Sequence, residues 1–306
     1  MSKYWKFLFW VSVSLFPICL PLTPGFGGIE AEFIYFKPSM PQGTYFVISN
    51  GQELNNDLTF YPGFRVGLSC CLPSCESQFS ATYTYLNASQ QRNVFGNNLK
   101  VDLLTVPIFT DTDFQVYSGS AGSNVKTLYQ RLDLIFSMPL ICNCCLDTFV
   151  EGGLELDAMR SQEVYTFIKT SGVSSTGNAS VNFNNYLVGP VGGLKFNYLL
   201  PEFCSIYKSK ICFVGYAGGG LLSTYVSAAQ GASQNTRTQL SATAESLWST
   251  SLALHTQLGI KIVKQFLPRV CADLEIGYEY SDYFLNIQGT LQYGLQGLYV
   301  GGNIYF

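Results

Sequence analysis

The sequence predicts an all-β fold, an antiparallel transmembrane β-barrel of about ten strands, within a range of roughly eight to twelve. Three observations predict it. Aromatic residues make up 15 % of the 306-residue chain and charged residues only 12 %, against about 25 % charged in ordinary soluble domains. Beyond the N-terminus no uninterrupted apolar run reaches the ~18 residues of a transmembrane helix. After Gly28, long segments alternate between apolar and polar residues, the pattern of a strand with one greasy and one wet face. In hydrocarbon every backbone N–H and C=O must be satisfied internally, so a chain without spanning helices is left with a closed barrel. The same composition excludes intrinsic disorder. Seventeen Lys and Arg against 20 Asp and Glu give no basic footprint for nucleic acid.

The chain divides into an export signal over 1–25 and a barrel over 26–306. Lys3 and Lys6 form a positive start, and Phe7–Cys19 is an apolar run too short for a stable span. Pro17 and Pro21 disfavour a buried helix there, and Ile18 is too bulky to precede a lipidated Cys19. Ten strands are expected near 28–37, 58–69, 77–87, 125–138, 147–160, 183–199, 210–225, 247–263, 270–284 and 289–306. Most reach the ~9–11 residues that cross a bilayer at a tilt. In the clearest, Leu274, Ile276, Tyr278 and Tyr280 alternate with Asp273, Glu275, Gly277 and Glu279. Leu58, Phe60, Pro62 and Phe64 read as one outward face of another. Connections near 38–57, 88–124, 169–182 and 226–246 are expected as long external loops, rich in Ser, Asn, Gly and Gln; those near 70–76, 139–146, 200–209 and 264–269 are expected as short periplasmic turns. A twelve-strand variant would draw an extra pair from 88–124, beginning at Leu99–Phe109. Phe33, Tyr35, Tyr83, Tyr85, Trp248, Tyr278, Tyr280 and Phe306 are expected to form interfacial girdles against the outer-membrane lipids. A last strand ending on Phe306 is the feature associated with delivery to the barrel assembly machinery.

The faces turned from lipid supply Glu30, Glu32, Arg65, Arg131, Asp133, Glu151, Glu155, Asp157, Lys195, Lys261, Asp273, Glu275 and Glu279, nine acids against four bases. They either fill a narrow lumen with ion pairs or line a pore with a mild preference for cations. A width of about ten strands favours filling, since ~8 strands are just packed by side chains and ~16–18 leave a channel.

Nine cysteines follow the signal: Cys70, Cys71, Cys75, Cys142, Cys144, Cys145, Cys204, Cys212 and Cys271. All fall in or beside the short turns, in an oxidising compartment where disulfides persist. Their spacing does not make paired C-x2-C ligands and no histidine is near, so a metal is disfavoured. Because nine is odd, at least one thiol is unpaired or bonds another chain, and some bonds are expected to reach other cysteine-rich envelope proteins. The lone histidine, His255, is read as an interior polar group, not a catalytic base, and G-x-S-x-G, H-E-x-x-H and P-loop motifs are absent from the sequence. No enzyme, cofactor or metal is expected.

The segments Ala31–Ser39, Tyr61–Ser69, Ala81–Ala88, Leu132–Pro139, Gly152–Tyr165, Asn184–Lys195 and Gly215–Tyr225 are, in that order, similar to landmarks of the Legionella-type major outer membrane protein family, found also in chlamydia-like bacteria. The sequence departs from that pattern at Phe36 and Met159, where a larger aromatic is expected. The resemblance implies a pore-forming or surface-exposed barrel in the bacterial outer membrane. Passive diffusion of small solutes or ions is the leading expectation. A structural or adhesive protein of a disulfide-linked envelope is the alternative, and oligomers fit either.

Overall fold

A computed structural model describes residues 27–39, 45–49, 52–55, 58–71, 77–101, 116–143, 145–170, 172, 174–200, 209–234, 237–267, 270–286 and 290–306. The described residues form twelve strands and no helix. In chain order they are β1 (Gly27–Ser39), β2 (Tyr45–Ser49), β3 (Gln52–Asn55), β4 (Tyr61–Cys71), β5 (Gln78–Val101), β6 (Tyr117–Cys142), β7 (Leu146–Lys169), β8 (Ser175–Leu199), β9 (Ser209–Gln234), β10 (Arg237–Leu267), β11 (Val270–Asn286) and β12 (Thr290–Tyr305). Ten of them, β1 and β4 to β12, pair antiparallel with their ring neighbours. The ring closes where β1 meets β12, with Ala31 opposite Gly302, while its other edge pairs with β4, Ala31 opposite Val66. Closure satisfies both edges of every ring strand, which an open sheet cannot do in lipid. The β2–β3 hairpin lies outside the ring and adds to the upper end of β5, with Ile48 opposite Lys100.

Period two turns into two environments. On β11, Leu274, Ile276, Tyr278 and Tyr280 are exposed on the outer wall, while Asp273, Glu275, Glu279 and Ser281 are buried inside. On β10, Leu252, Leu254, Leu258 and Ile260 face out, and Ser251, Ala253, His255 and Lys261 face in. Phe33, Tyr35, Trp248, Tyr278, Tyr280 and Phe306 are exposed on the outside. Tyr35 stacks on Phe60, Phe64 on Tyr85, and Tyr225 packs between Tyr186 and Trp248. These ring contacts form the aromatic girdle that outer-membrane barrels place at the lipid interface.

Three expectations need correction. The segments 88–124, 169–182 and 226–246 are largely strand, as β5 to β10 continue through them. Among the described residues no extra strand pair leaves 88–124: its ends belong to β5 and β6, and 102–115 lies outside the described residues. Beyond the lipid, a strand can be polar on both faces because water solvates the outer one, so apolar–polar alternation fades while pairing continues. Leu58 does not belong to an outward strand face; β4 begins at Tyr61, and Leu58 is buried against Ala88 and Val125.

Two of the four strand prolines, Pro62 and Pro190, sit where the ladder tolerates a missing donor. Pro62 is the second residue of β4, before its pairing with β5 begins at Gly63. Beside Pro190 the β8–β9 ladder is interrupted between Val188 and Val191 and resumes in the same register. Within the Gly218–Gly220 run, a Cβ on Gly218 would collide with the Tyr216 hydroxyl and with the Gly192 carbonyl. The glycines let a tyrosine lie flat on the wall, and no phosphate cradle is needed to explain them.

Candidate functional site: the barrel lumen

The interior has two levels. One adjoins the rim that holds Gly27 and Tyr305, here the terminal rim. It is polar and encloses a cavity of about 200 Å³ lined by Glu30, Glu32, Arg65, Arg131, Asp133, Glu151, Lys195, Lys261, Glu275 and Glu279, among others. Glu155, Asp157 and Asp273 are buried on the same inner wall. The structure thus places all thirteen candidate residues on the inside.

Three cationic centres organise this level. Arg65, on β4, holds Glu32 of β1 at 2.8 Å and Glu279 of β11 at 2.6 Å, and its Nε donates to Thr84 at 3.0 Å. This guanidinium bridges strands 214 positions apart in the chain. Arg131 donates to Asp133 at 2.8 Å and stands 3.4 Å from Glu155. Lys261 lies 3.4 Å from Asp273 and 3.3 Å from Glu275. Several of the remaining lone pairs are taken up locally. Tyr299 donates to Glu275 at 2.7 Å, Asn303 Nδ2 to Asp273 at 2.9 Å, and Ser137 to Glu151 at 2.9 Å. Each cation faces at least two carboxylates, so the wall keeps an acidic excess after pairing.

His255 joins the Arg131 centre. Its Nδ1 is 3.0 Å from Ser281 Oγ and 3.4 Å from Arg131 Nη1, and its Nε2 is 2.9 Å from Glu155 Oε2, close but poorly aligned for a hydrogen bond. A Ser–His–Glu string has the residue types of a hydrolytic relay. Ser281, however, is only 1 % exposed and does not line the cavity.

Beyond the cavity, large apolar and aromatic side chains dominate the inner wall, with Asp157, Asn185 and Ser281 among them. Ile34, Phe36, Leu86, Tyr129, Met159, Leu187, Leu222, Ala253, Tyr283, Tyr293, Leu295 and Tyr299 form one buried cluster across the interior. Tyr283 stacks on Tyr293 with centroids 4.6 Å apart, and its hydroxyl is 3.1 Å from that of Tyr129, which donates to Asp157 at 3.1 Å. This layer is a septum between the polar cavity and the far half of the barrel. Several polar atoms at its level have no protein partner: Asp157 Oδ2, the Tyr293 hydroxyl and both ends of the Asn185 amide. Buried polar groups of this kind are normally satisfied by water.

The septum tyrosines were absent from the sequence-derived candidates. A signal existed, since Tyr283 shares the parity of Glu275 and Glu279, and Tyr129 that of Arg131 and Asp133. An aromatic residue reads as lipid-facing by habit, while parity assigns it inward. Phe36 and Met159, the two departures from the family pattern, both lie in this septum.

At the terminal rim, Cys70 and Cys71 end β4, Cys142 ends β6, Cys145 precedes β7, and Cys212 and Cys271 lie near the starts of β9 and β11. Cys71 and Cys271 carry free thiols. Cys75, Cys144 and Cys204 lie outside the described residues, as does the segment read as an export signal.

A closed antiparallel ring, greasy outside and ionic inside, is an outer-membrane β-barrel. The family model described as Legionella pneumophila major outer membrane protein precursor matches residues 22–306. The chain belongs to that family, and its place is the bacterial outer membrane. No curated protein sequence matches the chain significantly. Among solved structures, it is similar to the outer membrane protease OmpT from Escherichia coli, with 9 % identity, a TM-score of 0.46, and 94 % of this chain and 99 % of that one covered. It is also similar to the translocator domain of the autotransporter NalP from Neisseria meningitidis, with 13 % identity, a TM-score of 0.40, and coverage of 99 % and 96 %.

Proposed function

We propose that this barrel is a narrow porin for small ions and solutes, with a mild preference for cations and no enzymatic role. The observation that carries the reading is the acid-rich polar cavity of about 200 Å³ at the terminal rim, backed by solvent-seeking groups within the septum above it. Carboxylates exceed cations along this wall, and such linings favour cation entry. Asp157, Asn185 and Tyr293 offer polar stations through a layer that is otherwise apolar. The tyrosines limit the width, so the expected conductance is small. With Ser281 sealed from the cavity, the His255 string serves as interior packing.

The septum also favours a second reading, a structural or adhesive envelope protein without an open pore. In both readings residues 1–25 are removed on export, and Phe306 is presented to the barrel assembly machinery. Rim cysteines then link the barrel to cysteine-rich envelope proteins. Planar-bilayer recording of folded protein separates the two readings. Discrete steps, with cation preference reduced in Glu155→Gln and Glu275→Gln, are expected for the porin. A silent bilayer from protein shown to be folded supports the structural reading. Steps whose selectivity is unchanged in both variants would remove these carboxylates from the conduction path.

A further inference from the structure

On the outer wall, just beyond the girdle, Lys126 of β6 and Arg160 of β7 flank a shallow cleft of about 270 Å³. Asn87, Gln162, Asn182 and Asn184 complete its outward rim. The register brings them together: Lys126 faces Gln162 across one ladder, Gln162 faces Asn182 across the next, and Arg160 faces Asn184. Among the described residues neither cation has a carboxylate partner. Arg160 is instead held by the girdle, donating to the Tyr186 hydroxyl at 3.0 Å with its guanidinium carbon 5.8 Å from the ring centre.

The level of this patch matters. Toward the terminal rim the outward residues of these strands are mostly apolar, with Leu154 and Val188 exposed and Gln130 bonded to the Tyr83 hydroxyl of the girdle. Away from it β6 continues from Lys126 to Tyr117, roughly 30 Å of strand at ~3.3 Å per residue. The barrel therefore projects far beyond lipid on one side only, the asymmetry of outer-membrane barrels with their bulk outside the cell. The patch then sits where the outer leaflet changes from acyl chain to headgroup. A guanidinium there can grip a phosphate through two parallel hydrogen bonds, an ammonium adds a point charge, and amides suit sugar hydroxyls.

We infer that this cleft binds the phosphorylated sugar headgroup of an outer-leaflet glycolipid, with Arg160 and Lys126 on the phosphate and the Asn and Gln amides on the sugar. The inference rests on the outer-membrane location, not on pore activity. The test is native mass spectrometry of the full folded barrel in non-ionic detergent, probed with a bisphosphorylated, acylated glucosamine disaccharide. One retained lipid per barrel is expected, with about tenfold weaker retention of the dephosphorylated probe and in Lys126→Gln/Arg160→Gln, since charge-assisted hydrogen bonds are worth ~1.5–3 kcal/mol. Lys264→Gln, which removes an outward cation near the terminal rim, should bind like the parent. Lys126→Gln alone gives the same comparison if the double variant does not reach the heat-shifted, folded form. Equal retention by the variants or by the dephosphorylated probe overturns the proposal. So does displacement by millimolar inorganic phosphate, which would mark a site for soluble anions.

Discussion

Arg65 shows how a single side chain organises the interior. Its three contacts tie β1, β4, β5 and β11 together, and it is 9 % exposed. Removing one partner of a buried ion pair strands the other charges, which costs ~3–5 kcal/mol. Arg65→Met should therefore lower the stability of the folded barrel by about that amount in urea titrations, with part of the loss recovered when Glu32 and Glu279 become Gln in the same chain. Glu163 behaves differently. It lies beyond the lipid on β7, and burial pushes its carboxyl above the ordinary value of 4.5 despite the hydroxyl donated by Tyr165. The fold thus favours the neutral acid. Its stabilising effect is complete below the ordinary value and declines as pH rises toward the raised one. Amide-exchange protection in the outer parts of β6 and β7, taken relative to the intrinsic exchange rate at each pH, should be higher at pH 4 than at pH 8, and Glu163→Gln should flatten that difference.

Among the elements, β11 and β12 show clearly how the two faces of a ring strand do different work. Outward they present Leu274, Ile276, Leu298 and Val300 to lipid, and inward they carry Glu275, Glu279, Tyr283, Tyr293 and Tyr299. The wall is thinned for these rings: a Cβ on Gly277 or Gly259 would collide with the Tyr299 hydroxyl. The stacked Tyr283–Tyr293 pair is the part of the septum that two substitutions can open. Tyr283→Ala/Tyr293→Ala is expected to raise single-channel conductance severalfold in planar bilayers while heat-modifiable migration persists. A folded double variant with the parent's conductance would place the constriction elsewhere. Each alanine leaves a cavity whose cost is ~3–5 kcal/mol in a dry core, and less here if water fills it.

The whole molecule is a tall cylinder whose apolar girth lies toward its terminal rim. The rim cysteines lie at one end of it, at the ends of β4 and β6 and the starts of β9 and β11. That placement suits bonds to neighbouring envelope proteins, and Cys71 is exposed there. On non-reducing gels of intact envelopes the protein should run as high-mass species that collapse to the monomer with reductant. Substituting Cys71 and Cys271 by Ser should weaken the ladder; migration as monomer without reductant would refute the linkage.

Alternation by itself determined the ring strands and the side of the wall that each of their residues takes. Asp273, Glu275 and Glu279 face inward because every second residue must, once Leu274 and Ile276 seek lipid. Sequence could not show where the strands stop, because in segments such as 175–182 the outer face turns polar once it leaves the bilayer, with Thr176 and Asn178 exposed, while small residues such as Gly177 and Ala179 line the inner one. Nor could it show which charges meet. Arg65 reaches Glu279 only because the ring closes, bringing the first strands beside the last. The septum was likewise a tertiary outcome: inward tyrosines from strands far apart in sequence converge only when curvature brings them to one level. Period two is a local property of the backbone, whereas contact across a lumen depends on strand number, stagger and closure together.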